Sequence, residues 1–246
     1  MKKLVKFHFS VDDVFESLIE ISDKNIKLKD HWFFSYLYKI YKKFHIRTAI
    51  YLFYESKVKN IHRNLSEVRS IKKELDENWL YFGGHALNFE NPPYKLKPQL
   101  QKKHIDKIYK EIIRFAGKRY LAKNVRLHEF SECYKLKDTL KKYNIKSLFT
   151  TDKLVTTYEM TKINKEELLN KGLTSFKGVN FVRTDLRVED MTIKKSFDHI
   201  KDILNNKNTL TVFSHEYELK KKKCRDNFVK ILTILNNKYS LKSVLP

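Results

Sequence analysis

Residues 4–15, LVKFHFSVDDVF, decide the fold. The β-rich run Leu4–Val11 reads as a strand, and it stops at two adjacent carboxylates, Asp12 and Asp13. Six further runs of the same kind lie downstream: Arg47–Tyr54, Trp79–His85, Asn124–Phe130, Ser147–Thr151, Asn180–Asp185 and Thr209–His215. Amphipathic stretches with helical spacing separate them: 31–44, Ser66–Asn78, Lys97–Ala116, Glu132–Lys142, Ile193–Asn205 and Lys220–Asn236. Asp30 is placed to N-cap the first of these, whose basic last turn suits the helix dipole, and Pro98 is placed to open the third. Strand and helix alternate, as the connections of a parallel sheet require. The expected fold is an α/β, distorted (β/α) barrel of about seven parallel strands. The longer stretch Val155–Gly178 is expected to pass over one face as a loop bordering a substrate groove.

The 246 residues suit one such domain, spanning 1–246, because single cores grow to about this size. At 41% hydrophobic and 13% aromatic the chain has material for a sizeable core, and 5 Gly and 4 Pro with no low-complexity block mark no linker. Lys and Arg number 51 against 29 Asp and Glu, a net charge of +22. A field of that sign draws phosphates, acidic glycans and anionic membrane surfaces. The excess is spread as KK and KKK runs along helix faces, and no helix-turn-helix, RNP, zinc-finger or OB-like signal accompanies it, so no specific nucleic-acid partner is expected. Cys133 and Cys224 lie far apart without CxxC spacing, which suggests free thiols in a reducing compartment. The apolar part of MKKLVKFHFSVDD is broken by Lys6 and His8, and no run approaches the ~20 residues of a membrane helix. A cytoplasmic location is the expectation.

In α/β barrels functional groups collect just beyond the carboxyl ends of the strands. Those ends here are Asp12-Asp13, Tyr54-Glu55, His85, Arg126 with His128-Glu129, Asp152, Asp185 and His215-Glu216. So many ionisable groups at one mouth would be costly to desolvate unless paired or bound to metal. A cation held by one of two adjacent carboxylates leaves the other free to take a proton from water. The competing view of Asp12-Asp13 is an N-cap and first-turn acid for the VFESLIEI helix. For His128 it is a core histidine bonded to a carboxylate.

FHFSVDDVF resembles the first motif of the NodB-homology polysaccharide deacetylases. The resemblance continues in order through FGGHALNFENP, VRLHEF, FVRTDLRVED and LTVFSHEYEL, spanning residues 5 to about 218. It implies a metal-dependent hydrolase that removes an acetyl group from a sugar or glycan precursor. Asp12 would be the general base, Asp13 and His85 would bind a divalent metal such as zinc, Arg126 would orient Asp12, and Asp185 would help set the protonation of His215, the general acid. The sequence departs from the pattern at Phe89, where the family has a second metal-binding histidine. His128, alternating with Arg126 on the fourth expected strand, is the best replacement, with Asn88 and Glu90 as competitors. A backbone N–H near Tyr54-Glu55 is expected to face the oxyanion, and Tyr54, Tyr158 and Tyr217 are candidates to stack on a sugar ring. The rival functions are a non-catalytic glycan-binding barrel and a basic nucleic-acid-binding protein.

Overall fold

The structure is a computed structural model that describes residues 2–151, 159–191 and 193–244. Its first strand, Leu4–Val14, has three parallel neighbours: Thr209–His215, Thr48–Phe53 and, along Leu4–Phe7, the C-terminal strand Ser240–Ser243. Thr48–Phe53 pairs in turn with Leu80–Ala86. A second parallel group joins Asn124–Val125, Ser147–Thr150 and Val179–Arg183. The two groups meet at two seams. At one, Ala122 N–H donates to the Phe82 carbonyl at 2.8 Å beside a single bridge between Phe82 and Leu121. At the other, the chain leaving Val179–Arg183 pairs again, as Leu186–Arg187, with Thr209–His215. Seven strands therefore run round a distorted α/β barrel, as the alternation of runs predicts. Thr48–Phe53 is buried along its whole length, the signature of a parallel strand covered on both faces.

Several local expectations are corrected. Ser66–Asn78 is not a helix: two 3-10 turns, Leu65–Glu67 and Lys72–Glu74, bracket an extended segment. Arg114, from the helix Pro98–Phe115, donates to the carbonyls of Leu65 and Val68, and Ile71 N–H donates to the Phe115 carbonyl. Tertiary partners thus take groups that a helix would bond internally. The helix Trp32–Phe44 is capped by His31, whose Nδ1 accepts from Phe33 N–H, while Asp30 ends a 3-10 turn. Glu132–Lys142 shortens to a 3-10 turn and the helix Lys137–Lys142. The stretch after residue 158 is structured: helix Lys162–Lys171 leads into Leu173–Phe176, which pairs antiparallel with Val179–Arg183. The fourth strand covers only Asn124–Val125. Among the described residues, no helix is long and apolar enough to cross a membrane.

Candidate metal and catalytic site

The parallel register of Leu4–Val14 and Thr209–His215 sets Asp12 directly beside His215. One residue on, the pairing of the first strand with Thr48–Phe53 shifts between Val11 and Val14, and Asp13 takes a left-handed φ of 58°. A bulge re-aims a side chain in this way. It points the Asp13 carboxylate along the barrel mouth toward His85, while Asp12 faces inward.

Asp12 is buried and bonded to a buried guanidinium, Arg126 Nη1 to Oδ1 at 2.9 Å. The same guanidinium donates to Ser10 Oγ at 3.0 Å and Thr184 Oγ1 at 2.9 Å and lies 4.1 Å from the Phe213 ring centre. Its backbone carbonyl accepts from His85 Nδ1 at 2.6 Å. Arg126 therefore fixes both a carboxylate and an imidazole. With Nδ1 committed as the donor, Nε2 of a neutral His85 presents a lone pair.

That lone pair meets two others. His85 Nε2 lies 3.1 Å from Asp13 Oδ1 and 3.2 Å from His128 Nδ1, and His128 Nδ1 lies 3.7 Å from Asp13 Oδ1. The opposite nitrogen of His128, Nε2, faces the Phe89 carbonyl at 3.1 Å and so bears the hydrogen. Burial, reinforced by the neighbouring His85, pushes the His128 pKa down to about 4, which keeps the ring neutral near pH 7. Burial opposes ionisation of Asp13, but His85, His215 and His128 outweigh it and hold the carboxyl below its ordinary range. Among the described residues, Asp13 Oδ1 is a buried oxygen with no hydrogen-bond partner.

Three potential ligand atoms, Asp13 Oδ1, His85 Nε2 and His128 Nδ1, thus converge. Ligands at about 2.0–2.1 Å around a tetrahedral zinc lie roughly 3.3 Å from one another. The observed spacings bracket that value, so one carboxylate and two imidazoles fit a divalent ion and leave a coordination position open. Asp13, His85 and His128 form a potential metal site among the described residues. Asn88 is engaged with Glu55 and Asn91, and Glu90 is exposed.

His128 reaches this position by a route the sequence did not suggest. It lies in a 3-10 turn, His128–Phe130, and not on a strand face shared with Arg126. Glu129 and Phe130 both have positive φ, 52° and 57°, so the chain reverses locally to deliver the ring.

His215 ends the strand Thr209–His215, and its carboxylate partner is Glu189, with Nδ1 to Oε1 at 2.5 Å. Ser214 Oγ donates to the other Glu189 oxygen at 3.0 Å. Burial opposes protonation of His215, yet Glu189, Asp12 and Asp13 raise its pKa above the ordinary value. Asp185, expected in this supporting place, is elsewhere. It accepts from Thr211 N–H and Oγ1, each at 2.8 Å, and from Lys207 at 2.6 Å. Thr211 lies four residues before His215, about 13 Å back along the strand at the usual rise. Glu189 sits in the same FVRTDLRVED stretch, and its place in the turn Val188–Asp190 was the missing information.

The N–H groups of Tyr54 and Glu55 donate to the carbonyls of Ala86 and Leu87, so they do not point at the mouth. Tyr54 is buried, and Lys107 covers its ring. Asp152 and Tyr158 lie outside the described residues. Glu216, next to His215, is buried and accepts from the N–H groups of Phe15 at 2.9 Å, Glu16 at 3.2 Å and Ser17 at 2.7 Å. It locks the end of the strand Thr209–His215 to the turn that follows Asp13 and caps the helix Glu16–Asp23. A cavity of about 200 Å³ lies over Asp12, Asp13, His85, His128 and His215, and a groove of about 280 Å³ adjoins it.

Comparison of the sequence with family models and with curated proteins finds no match. Comparison of folds finds many solved structures. The chain is similar to a peptidoglycan N-acetylglucosamine deacetylase crystallised with a hydroxamate, at 14% identity and TM-score 0.53, over 97% of this chain and 86% of that one. It is similar to a CE4 family pseudoenzyme of Bacillus anthracis in a mutant form with restored activity, at 13% identity and TM-score 0.52, over 99% and 67%. It is also similar to a 4-alpha-glucanotransferase from Thermococcus litoralis, at 14% identity and TM-score 0.56, but spans only 40% of that protein. The fold is that of the CE4, NodB-like polysaccharide deacetylases, and it is shared by proteins of different activity.

Proposed function

We propose that this chain is a single-domain, divergent member of the NodB-like deacetylases, a metal-dependent hydrolase that removes an N-acetyl or O-acetyl group from a sugar or glycan precursor. The observation that supports this most is the pairing of a convergent donor set, Asp13, His85 and His128, with a separate, arginine-held carboxylate, Asp12, and a carboxylate-held imidazole, His215. Zinc is the favoured ion, since two imidazoles and a carboxylate with an open position suit it. Bound there, such an ion supplies Lewis acidity, polarising the acyl carbonyl and acidifying water.

The chain's own residues do the rest. Asp12, fixed by Arg126, takes the proton from the attacking water. His215, whose proton Glu189 helps to hold, gives that proton to the departing nitrogen or oxygen, and acetate leaves with the deacylated sugar. Positions of acid and base are set by strand register, which costs nothing to reorganise during the reaction. A nucleotide-linked or lipid-linked precursor is the proposed substrate form, because the net charge of +22 favours phosphate-bearing molecules.

A second possibility has specific support in Phe89. A non-ligand at a position where the family binds metal fits a glycan-binding barrel without activity. Acetate release from N-acetylated saccharides and their phosphorylated precursors, measured on metal-stripped and zinc-restored protein, tests the proposal. Release that appears only with zinc is expected. A stoichiometric zinc content with no release under any condition would favour the binding protein, and absence of both would overturn the metal site.

A further inference from the structure

The chain holds 14 Tyr, 17 Phe and 2 Trp, yet among the described residues only two aromatic side chains are exposed: Phe89, at 62%, and Tyr217, at 51%. Both are at the barrel mouth. Each lines the cavity over the acid–base groups and also the adjoining groove, so the two rings stand where these spaces join. Tyr217 stacks on His215, with ring centres 5.1 Å apart and planes 22° apart, and the Phe89 ring lies 5.1 Å from that of His128. Elsewhere among the described residues the rings are wholly or partly covered, so these two faces are the aromatic surface open to a ligand beside the reaction centre. Metal ligation does not require Phe89, whose contribution to His128 is its backbone carbonyl.

We infer that Phe89 and Tyr217 form an aromatic clamp for a pyranose ring, holding the sugar by its C–H faces while its acylated edge reaches Asp12 and His215. The polar floor and aromatic walls match a ligand that is apolar on its faces and polar at its rim. Delivery of the third donor by the His128 turn is what frees position 89 to be a wall of the subsite. The inference rests on the glycan substrate proposed above, but it concerns binding and not turnover.

The test uses ligand-observed NMR titration of the full chain with an N-acetylglucosamine trimer, alongside acetate release. Phe89→Ala and Tyr217→Ala are each expected to weaken binding about ten-fold, from the loss of one stacking contact. Phe89→Trp and Tyr217→Trp are expected to restore it, and zinc content of all four variants should match the parent. In kinetics the alanine loss should fall mainly on KM. Absence of trimer binding by the parent chain, or equal binding by the alanine variants, would overturn the clamp. So would tighter binding of a nucleobase than of the trimer, since that would assign the rings to a different ligand. Clamp-dependent binding without acetate release would sink the deacetylase proposal alone. Acetate release unaffected by either alanine would sink the clamp alone.

Discussion

His128→Ala removes one of the three donors that meet at Asp13 Oδ1 and leaves the others in place. Loss of even an outer partner of a metal ligand typically costs 10–100-fold in affinity, so loss of a ligand should cost at least about 100-fold. Metal bound only to the folded state stabilises it by about 2.7 kcal/mol when its concentration is 100 times Kd. For a chain of this size each kcal/mol moves Tm by about 2–4 °C, so zinc at that concentration should raise the melting temperature of the parent by about 5–10 °C. At the same zinc concentration the variant is near its own Kd, where the gain is about 0.4 kcal/mol and the shift about 1 °C. Differential scanning fluorimetry with a zinc titration reads both values, and competition with a chelator gives the affinities directly. An equal shift in parent and His128→Ala would refute the role of His128 and return the third position to a residue such as Asn88 or Glu90.

Three further outcomes are expected. Arg126→Met should lower stability by about 3–5 kcal/mol in urea unfolding, because it strands the buried Asp12 carboxylate, and Asp12→Asn in the same chain should recover part of the loss. Glu189→Gln should move the alkaline limb of the pH–rate profile to lower pH: Glu189 helps raise the His215 pKa, the protonated ring is the acid, and activity is lost as pH rises through that pKa. An unmoved limb would remove Glu189 from that role. His8 is buried, and burial followed by the Arg126 charge pushes its pKa down to about 3. The unfolded chain takes up this proton below about pH 6.5 and the folded chain does not until about pH 3, so stability should fall as pH drops across that window. His8→Leu should flatten the dependence, as measured by denaturant midpoints between pH 7 and 4.

The strand ends were legible because their grammar is local. An apolar run that stops at Asp12-Asp13, His85 or His215 announces both a strand and a group at its carboxyl end, and the barrel brings such ends together whatever the loops do. What escaped depended on how the chain bends between elements. His128 and Arg126 were expected on one strand face, but the strand stops at Val125, and the positive φ of Glu129 and Phe130 turns His128 toward His85. No periodicity encodes that reversal. Asp185 is the expected partner of His215 from the sequence, and Glu189, an acid in the same short stretch, stands beside His215 instead because of the turn Val188–Asp190. Ser66–Asn78 has helical spacing, but the carbonyls of Leu65 and Val68 are claimed by Arg114, about 46 residues away in the chain.

Glu216 gives the barrel an order of assembly. Its carboxylate takes the amides of Phe15, Glu16 and Ser17 across separations of 201, 200 and 199 residues. A growing chain on the ribosome leaves those amides to water until residue 216 emerges, so the ion-binding centre should mature late and slowly, as folds rich in distant contacts do. Fragments that end between residues 130 and 215 should therefore take up no zinc, although Asp13, His85 and His128 are already present in them.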